Sequence, residues 1–527
     1  MTDLPTIADA VATHARLMPR RLAVRDSQRS LTWAGLHERA TRLAAGLCEL
    51  GLSKGDRVGV VAYNRIEWIE IYVAMARAGL VVVPLNFRLT GPEMAYILDH
   101  AEVGAVIAGP EFCGAVDGIR RELRVPGSRF VAIPVASDAS EPVNTAAGWR
   151  SYEDLIALSD PAFAFDAVGE ADMCALMYTS GTTGRPKGAI RRHRGSTLIA
   201  MATALEMNFT RDDIALLVMP LCHANSLYFG TTFLHLGGTC IVDDRRSFDP
   251  EALLATLARE QVTFTSLVPT HYIMMLALPD EVKRRHDVSR VGKLLVSSAP
   301  AREDTKLAIL EHFRNGQLYE LYGSTEAGWV TLLRPDEQIR KLGSVGREWA
   351  GSGAIRLLDE QRREVPDGEV GELFSRTAYV FDGYWKQPHK TAEAFDGAWC
   401  SVGDMARRDA DGYVWLVDRK SNMIITGGEN VYPSEVEGAL GAHPKVRDVA
   451  VVGVPHDKWG ETVQAVVVLH EGQQADAQEL RDWCRQRLAG FKCPSAFAFM
   501  ADHEMPRTAT GKILHRELRQ RLALEHA

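Results

Sequence analysis

The sequence predicts an α/β fold: a large N-terminal part of several subdomains, then a small α+β domain. Three observations lead there. Its 527 residues exceed what one core fills. Short continuous apolar runs alternate with helical patterns through much of the chain, the order that builds a largely parallel sheet. From 344 to 417 short strand patterns and Gly/Asp turns take over, and helix–strand alternation returns beyond 421.

The elements follow in order. In "LTWAGLHERATRLAAGLCELGL", Leu36, Ala40, Leu43, Leu47 and Leu50 fall at spacings of four and three, which makes one apolar helix face. Gly51 stands where a helix C-cap belongs. "RVGVVAY" (57–63) reads as a buried strand, "EWIEIYVAMARAG" (67–79) as a second helix and "LVVVPL" (80–85) as a second strand. The small polar stretch 136–148 is expected to be a surface loop. Strands follow at "ALMY" (175–178), "IALLVMP" (214–220), "VTFTSLVP" (262–269), "KLLVSSAP" (293–300) and "QLYELYGSTEAG" (317–328). "DGEVGELF" and "DGYVWLV" mark a small β-rich subdomain over 344–417. Then come helix "PSEVEGALGAH", strands "VRDVAVVGV" and "TVQAVVVL", and helix "AQELRDWCRQRL". This tail is about 100 residues, a usual domain size.

Composition narrows the function. The net charge is −8, with no long Lys/Arg run, so nucleic acid is an unlikely partner on electrostatic grounds. No apolar run approaches the roughly 18 residues of a membrane helix, so no integral membrane segment is expected. The N-terminus lacks a secretory pattern and "LALEHA" carries no peroxisomal or ER address. Eight scattered cysteines without a Cys-x-x-Cys pair fit a reducing cytoplasm.

The chemistry starts at "YTSGTTGRPKGA" (178–189), where five hydroxyl side chains and three glycines sit beside Lys187. Glycines let backbone N–H groups approach a phosphate, hydroxyls add hydrogen bonds and lysine adds counter-charge. Alone, such a loop is more often a polar surface turn. It is not a Walker loop, because Pro186 precedes Lys187 and Gly188 follows it. No dinucleotide fingerprint, nucleophile elbow or His-Glu-x-x-His appears.

The loop resembles the signature of the adenylate-forming superfamily, which holds acyl-CoA synthetases, peptide-synthetase adenylation domains and beetle luciferases. "YELYGSTEAG" (319–328) resembles that family's adenine and magnesium motif. "WCSVGDMARRDADGYVWLVDRKSNMIITGGENVYPSEVE" (399–437) resembles its ribose and hinge segment, and "PRTATGKILHREL" (506–518) its catalytic-lysine motif. Four motifs in order over nearly the whole chain make chance agreement negligible. The resemblance implies an adenylate-forming N-terminal domain over 1–420 and a mobile C-terminal domain over 421–527. It implies an acid–CoA ligase that turns a carboxylic acid and ATP into an acyl-adenylate and pyrophosphate, then passes the acyl group to CoA and frees AMP. The partners expected are a small-molecule carboxylic acid, ATP, Mg²⁺ and CoA, with a homodimer as a candidate assembly.

The same resemblance assigns roles. Thr179, Ser180, Gly181, Thr182, Thr183, Gly184 and Lys187 would wrap the β- and γ-phosphates. Tyr322 would stack on adenine, followed by Gly323 and Ser324, with Ser298, Ala299 and Pro300 on the opposite side. Thr325 would touch the α-phosphate and Glu326 bind Mg²⁺, a hard cation that takes oxygen ligands. Asp404 would accept the ribose hydroxyls, Arg419 reinforce it, and Lys512 stabilise charge developing between carboxylate and α-phosphate. Singly, Asp404 reads as a turn residue and Lys512 as a surface lysine; the joint pattern reverses both readings. Ser421 would be the hinge, although Ser421 and Asn422 depart from the charged pair usual there. Gly427 and Gly428, in a "TGGEN" strand (426–430), would leave room for the pantetheine arm.

"PLCHANSLYFG" (220–230) resembles the segment lining the acyl pocket. His223 would orient the carboxylate or gate the pocket; a lone His after a strand is otherwise a core residue. Cys222 and Asn225–Ser226 depart from the family's Phe and Gly. Asn225, Tyr228, Phe229 and Trp329 would line the pocket with Phe233, although core packing explains Tyr228 and Phe233 equally well. Residues 223–238 contain no acid to pair with an amino-acid ammonium, so the expected acid is apolar, fatty or aryl. With 15 residues after Lys512 and no carrier domain, a stand-alone ligase is expected. A luciferase-like oxidative enzyme, a ligase with a carrier-protein acceptor and a non-catalytic nucleotide binder are the alternatives. Light output and ATP–pyrophosphate exchange separate the first and last from a ligase.

Overall fold

The structure is a computed structural model describing residues 3–134, 148–160, 162–179, 186–297, 301–420, 422–426, 429–456, 458–508 and 511–525. It divides into two compact units: Met1–Ala354 with Ser375–Cys400, and Ile355–Phe374 with Ser401–Ala527.

The first unit is layered. Seven strands form one sheet, ordered Arg150–Ser151, Phe130–Ala132, Val103–Ala108, Arg57–Val61, Val81–Pro84, Met173–Thr179 and Lys187–Arg192. The pairings are parallel up to Met173–Thr179, whose partner Lys187–Arg192 runs antiparallel. A second sheet has nine strands, with Leu22–Arg25, Thr239–Val242, Ile214–Leu217, Phe264–Leu267, Lys293–Ser297 and Gln317–Ser324 adjacent and parallel at its centre. The helices Trp33–Glu49, Ile66–Ala78 and Ala224–Leu236 contribute to one core with residues of both sheets, such as Val58 and Val82 of the first and Leu217 and Phe264 of the second.

That position explains the sequence. In Ile66–Ala78 every residue except Arg77 is buried; its two acids are paired, Glu67 with Arg65 and Arg29, Glu70 with Arg29 and Arg39. In Trp33–Glu49 the predicted stripe Leu36, Ala40, Leu43 and Leu47 is buried, Leu50 is half-buried, and Gly51 takes φ +88° just past the end. The outer faces of the two sheets carry separate cores, with Met94, Leu98 and Phe112 on the seven-stranded sheet and Leu253, Leu257 and Tyr272 on the nine-stranded one. Of the stretch 136–148 read as a loop, only Gly148 lies among the described residues.

The β-rich stretch is shared between the units. Arg356–Leu358, Val370–Phe374, Asp404–Arg408 and Val414–Arg419 form a four-stranded antiparallel sheet in the second unit. Residues 375–400 belong with the first, because 382–385 hydrogen-bond the edge of Lys187–Arg192: Trp385 N–H donates to Gly188 O at 2.8 Å and Ile190 N–H to Gly383 O at 3.0 Å. Pairings that join 188–190 to 383–385 follow no local pattern, so the sequence reading of 344–417 as one subdomain did not separate them. The boundary at 420 drawn from the sequence also falls inside the second unit. There the Ser434 N–H donates to Asp418 Oδ2 at 2.8 Å, tying helix Pro433–Gly441 to strand Val414–Arg419.

The rest of the second unit is the expected α+β tail. Strands Glu429–Val431, Ile424–Thr426, Gly460–Leu469 and Val446–His456 pair in that order, and Ala496–Phe499 joins Gly460–Leu469. Helices Pro433–Gly441 and Ala477–Arg485 pack on one face, and Leu518 and Leu522 of His515–Glu525 on the other. "TGGEN" is not one strand: Thr426 pairs with Glu429 across an antiparallel hairpin. A Gly-Gly pair between strands is the signal for such a connection.

Candidate active site

The hairpin Met173–Thr179/Lys187–Arg192 sets Thr179 directly opposite Lys187. The polar loop joins those two residues, so its ends are fixed by the sheet. The Lys187 ammonium lies 4.0 Å from the centre of the Tyr384 ring, a cation–π contact. The Tyr384 hydroxyl donates to Glu326 Oε1 at 2.9 Å, and the Thr179 hydroxyl donates to the same oxygen at 3.2 Å. Thr179, Lys187 and Glu326, named separately from the sequence, are thus linked: Thr179 bonds the buried Glu326 carboxylate directly, and Lys187 sits on the ring of the tyrosine that also bonds it. Tyr384 completes the group and had no sequence signal, since only the edge pairing of 382–385 carries it there.

Glu326 sits in the turn between strands Gln317–Ser324 and Gly328–Leu333. A side chain at Gly323 would place its Cβ 2.3 Å from Gly328 O, and Gly328 itself takes φ +72°, so both positions demand glycine. Ser324 Oγ accepts the Ala327 N–H at 2.9 Å and shapes the turn. Tyr322 is buried and paired with Thr331. Beneath the turn lies Arg191, only 2% exposed. Its Nη1 donates to the carbonyls of Thr325 at 3.4 Å and Glu326 at 3.3 Å.

In the second unit Asp404 and Arg419 are direct partners on antiparallel strands, and Arg419 Nε donates to Asp404 Oδ1 at 3.1 Å. Lys512 is presented by a tight turn in which the Thr508 N–H donates to Lys512 O at 2.7 Å and the Lys512 N–H donates to Thr508 Oγ1 at 3.1 Å. The residue as a whole is exposed, yet its ammonium end is crowded. That burial, with the Arg419 guanidinium nearby, lowers its pKa below the ordinary lysine value, while Asp404 opposes the shift. The unit thus brings Lys512 under the electrostatic influence of Asp404 and Arg419, a pair far earlier in the sequence.

His223 caps helix Ala224–Leu236, and its Nε2 is enclosed without a hydrogen-bond partner among the described residues. Burial, helped by Arg88, pushes its pKa down to about 4, so the imidazole is neutral at pH 7. It can exchange a hydrogen bond with a carboxylate there but cannot supply counter-charge. Asn225 Nδ2 donates to Ser297 Oγ at 2.6 Å, while its Oδ1 is buried without a partner among the described residues. Tyr228 stands edge-on to Trp329 with ring centres 5.3 Å apart, and Phe229 lies 5.7 Å from Trp329. Phe233 is fully buried and stacks on Phe264, which makes it a core residue of this wall.

Residues 11–385 match the family model described as "AMP-binding enzyme", and 435–512 match "AMP-binding enzyme C-terminal domain". The chain belongs to the AMP-binding enzyme family. This AMP-binding enzyme is 38% identical over 511 residues to a feruloyl-CoA synthase of an Amycolatopsis species, covering 96% of this chain and 97% of that protein. It is 34% identical to an indoleacetate–CoA ligase of Aromatoleum aromaticum, covering 98% of each. Among solved structures it is similar to the anthranilate CoA ligase AuaEII in complex with anthranoyl-AMP, with TM-score 0.88, 26% identity and coverage of 100% and 99%. ATP-bound MatB of Rhodopseudomonas palustris gives TM-score 0.85 at 30% identity, covering 99% of this chain and all of that one.

Several residues that the sequence singles out in this AMP-binding enzyme, namely Ser180, Gly181, Thr182, Thr183, Gly184, Ser298, Ala299, Pro300, Ser421, Gly427 and Gly428, lie outside the described residues. The described neighbours of Glu326 suit a hard cation. Both hydroxyl donors fall on Oε1, which leaves Oε2 for a ligand. Among the described residues no group of three His, Cys, Asp or Glu forms a cage. One carboxylate plus substrate phosphates is a usual way to hold magnesium.

Proposed function

We propose that this enzyme is an AMP-forming acid–CoA ligase whose acid has an aromatic body. The protein joins a carboxylate to AMP from ATP and transfers the acyl group to a thiol, as its family does. The observation that carries the site is the Glu326 carboxylate, which takes the Thr179 and Tyr384 hydroxyls while the Tyr384 ring carries the Lys187 ammonium. Thr179 and Lys187 hold the departing phosphates, and Glu326 holds Mg²⁺, which neutralises phosphate charge when bound. Thr325 borders the α-phosphate and Tyr322 the adenine. Asp404 and Arg419 grip the ribose, and Lys512 meets the developing charge. His223, neutral, orients the acid carboxylate.

The choice of an aryl acid is supported by the wall of Tyr228, Phe229 and Trp329 and by helix Ala224–Leu236, which has no acid for an ammonium. It also fits relatives named for feruloyl-CoA and indoleacetate. A long-chain-fatty-acid–CoA ligase of Mycobacterium tuberculosis, 32% identical, marks fatty acids as the competing class. A fatty acid–acyl-carrier-protein ligase of Streptomyces coeruleorubidus, 33% identical, marks the competing acceptor. A cytoplasmic setting is supported by eight cysteines that form no disulfide, and a homodimer is the candidate assembly. No described helix is long and apolar enough to cross a membrane.

Pyrophosphate release is to be measured against aryl, fatty and dicarboxylic acids, each with CoA or a phosphopantetheinyl carrier protein as acceptor. Aryl acids with CoA should give the highest kcat/KM, with AMP and pyrophosphate as products. ADP and phosphate as direct products would overturn the reaction; a strong preference for fatty acids would overturn only the acid.

A further inference from the structure

Arg191 is a buried charged residue of the first unit that the proposed chemistry does not use. It lies on strand Lys187–Arg192, on the inward face it shares with Ala189, and is 2% exposed. No carboxylate lies within ion-pair distance of it among the described residues. Its Nε and Nη2 have no hydrogen-bond partner among the described residues. Near it lie the Tyr228 ring, 5.5 Å away, the half-buried Cys174 and the buried Cys400; its charge lowers the pKa of both thiols while burial raises it. An unpaired buried cation is costly, and an apolar side chain of similar volume is the stable choice there.

What Arg191 does hold is the underside of the turn 325–327. Each of that turn's three successive carbonyls meets a donor. Thr325 O takes Arg191 Nη1, Glu326 O takes Arg191 Nη1 and the Phe381 N–H, and Ala327 O takes the Thr377 hydroxyl at 2.7 Å. For Thr325 O, Arg191 is the donor found. The Glu326 carboxylate, on the same turn, accepts from the Thr179 and Tyr384 hydroxyls. The cation also sits under the place where the proposed site gathers negative charge, and low-dielectric surroundings extend its reach.

We propose that Arg191 is a positioning residue for adenylation. It fixes the Thr325–Glu326 backbone and biases the nucleotide side of the site with positive charge, at a cost in stability. The proposal rests on the nucleotide roles given to Thr325 and Glu326 above. A structural arginine and a positioning arginine differ in one readout. Removal of a structural group lowers stability and activity together. Removal of this one should separate them.

The test uses the full-length chain with Arg191→Met, Arg191→Lys and, as a control on the site itself, Glu326→Gln. Each is measured by thermal unfolding and by acid-dependent ATP–pyrophosphate exchange. Arg191→Met should keep or raise the unfolding temperature while exchange falls about 10- to 100-fold, the size of a lost charge-assisted hydrogen bond. The loss should appear in kcat and in the KM for ATP, with the KM for the acid unchanged. Arg191→Lys, which keeps the charge, should recover most of the exchange. An Arg191→Met variant that exchanges normally, that fails to fold, or that loses stability in step with activity overturns the proposal. A shift confined to the acid KM overturns it as well. Full exchange in Glu326→Gln would instead remove the nucleotide reading on which it rests.

Discussion

Asp404→Ala isolates the proposed ribose grip. Asp404 is 9% exposed and lies opposite Arg419 on the neighbouring strand, with one carboxylate oxygen 3.1 Å from Arg419 Nε. If that carboxylate accepts the ribose hydroxyls, its loss removes charge-assisted bonds worth about 1.5–3 kcal/mol in total. That is about a 10- to 150-fold rise in the dissociation constant for AMP. The effect on folding should be much smaller. The Arg419 side chain is 41% exposed, so water takes over its donors when Asp404 goes. A pair so open contributes about 1 kcal/mol or less. The signature is therefore a large loss of nucleotide affinity with little change in the unfolding temperature. Calorimetric titration with AMP, paired with a thermal melt, reads both; Asp404→Asn, which keeps volume and one acceptor, should fall between. Unchanged AMP affinity would place the ribose elsewhere. An equal fall in stability and affinity would mean that Asp404 serves the sheet and not the ligand.

Lys512→Ala should cut adenylation about 10²- to 10³-fold, the scale of a lost transition-state donor, yet convert supplied acyl-adenylate and CoA to thioester at near-normal rate. A bulky residue at Gly428 should do the reverse, and equal damage to both half-reactions by Lys512→Ala would refute the division of labour and a hinge at Ser421. The same lysine sets a pH limit. Burial and Arg419 lower its pKa, so the charged form is lost as pH rises through that lowered value. The alkaline limb of the adenylation profile should then fall below the ordinary lysine pKa, and Lys512→Arg should move it upward; a limb that ignores the substitution would assign it to another group.

The sequence by itself determined the α/β class, the helix faces and the separate residues of the site. Leu36, Ala40, Leu43 and Leu47 announce a buried face because a helix repeats every 3.6 residues, and that period is written locally. The glycines at 323 and 328 were legible as part of a motif, and the structure supplies their reason in a turn too tight for a Cβ. Tertiary structure decided what no local period encodes. Tyr384 reaches Glu326 only because 382–385 pairs with the edge of Lys187–Arg192, a contact across nearly 200 residues of chain. The sharing of 344–417 between two units follows from the same pairing. Arg191 stands in the sequence as one more basic residue in "KGAIRRHR", on the inward side of a strand by alternation alone. Only the fold shows that its charge is sealed beneath the turn carrying Thr325 and Glu326, because burial and missing partners are properties of the packed chain and not of its order.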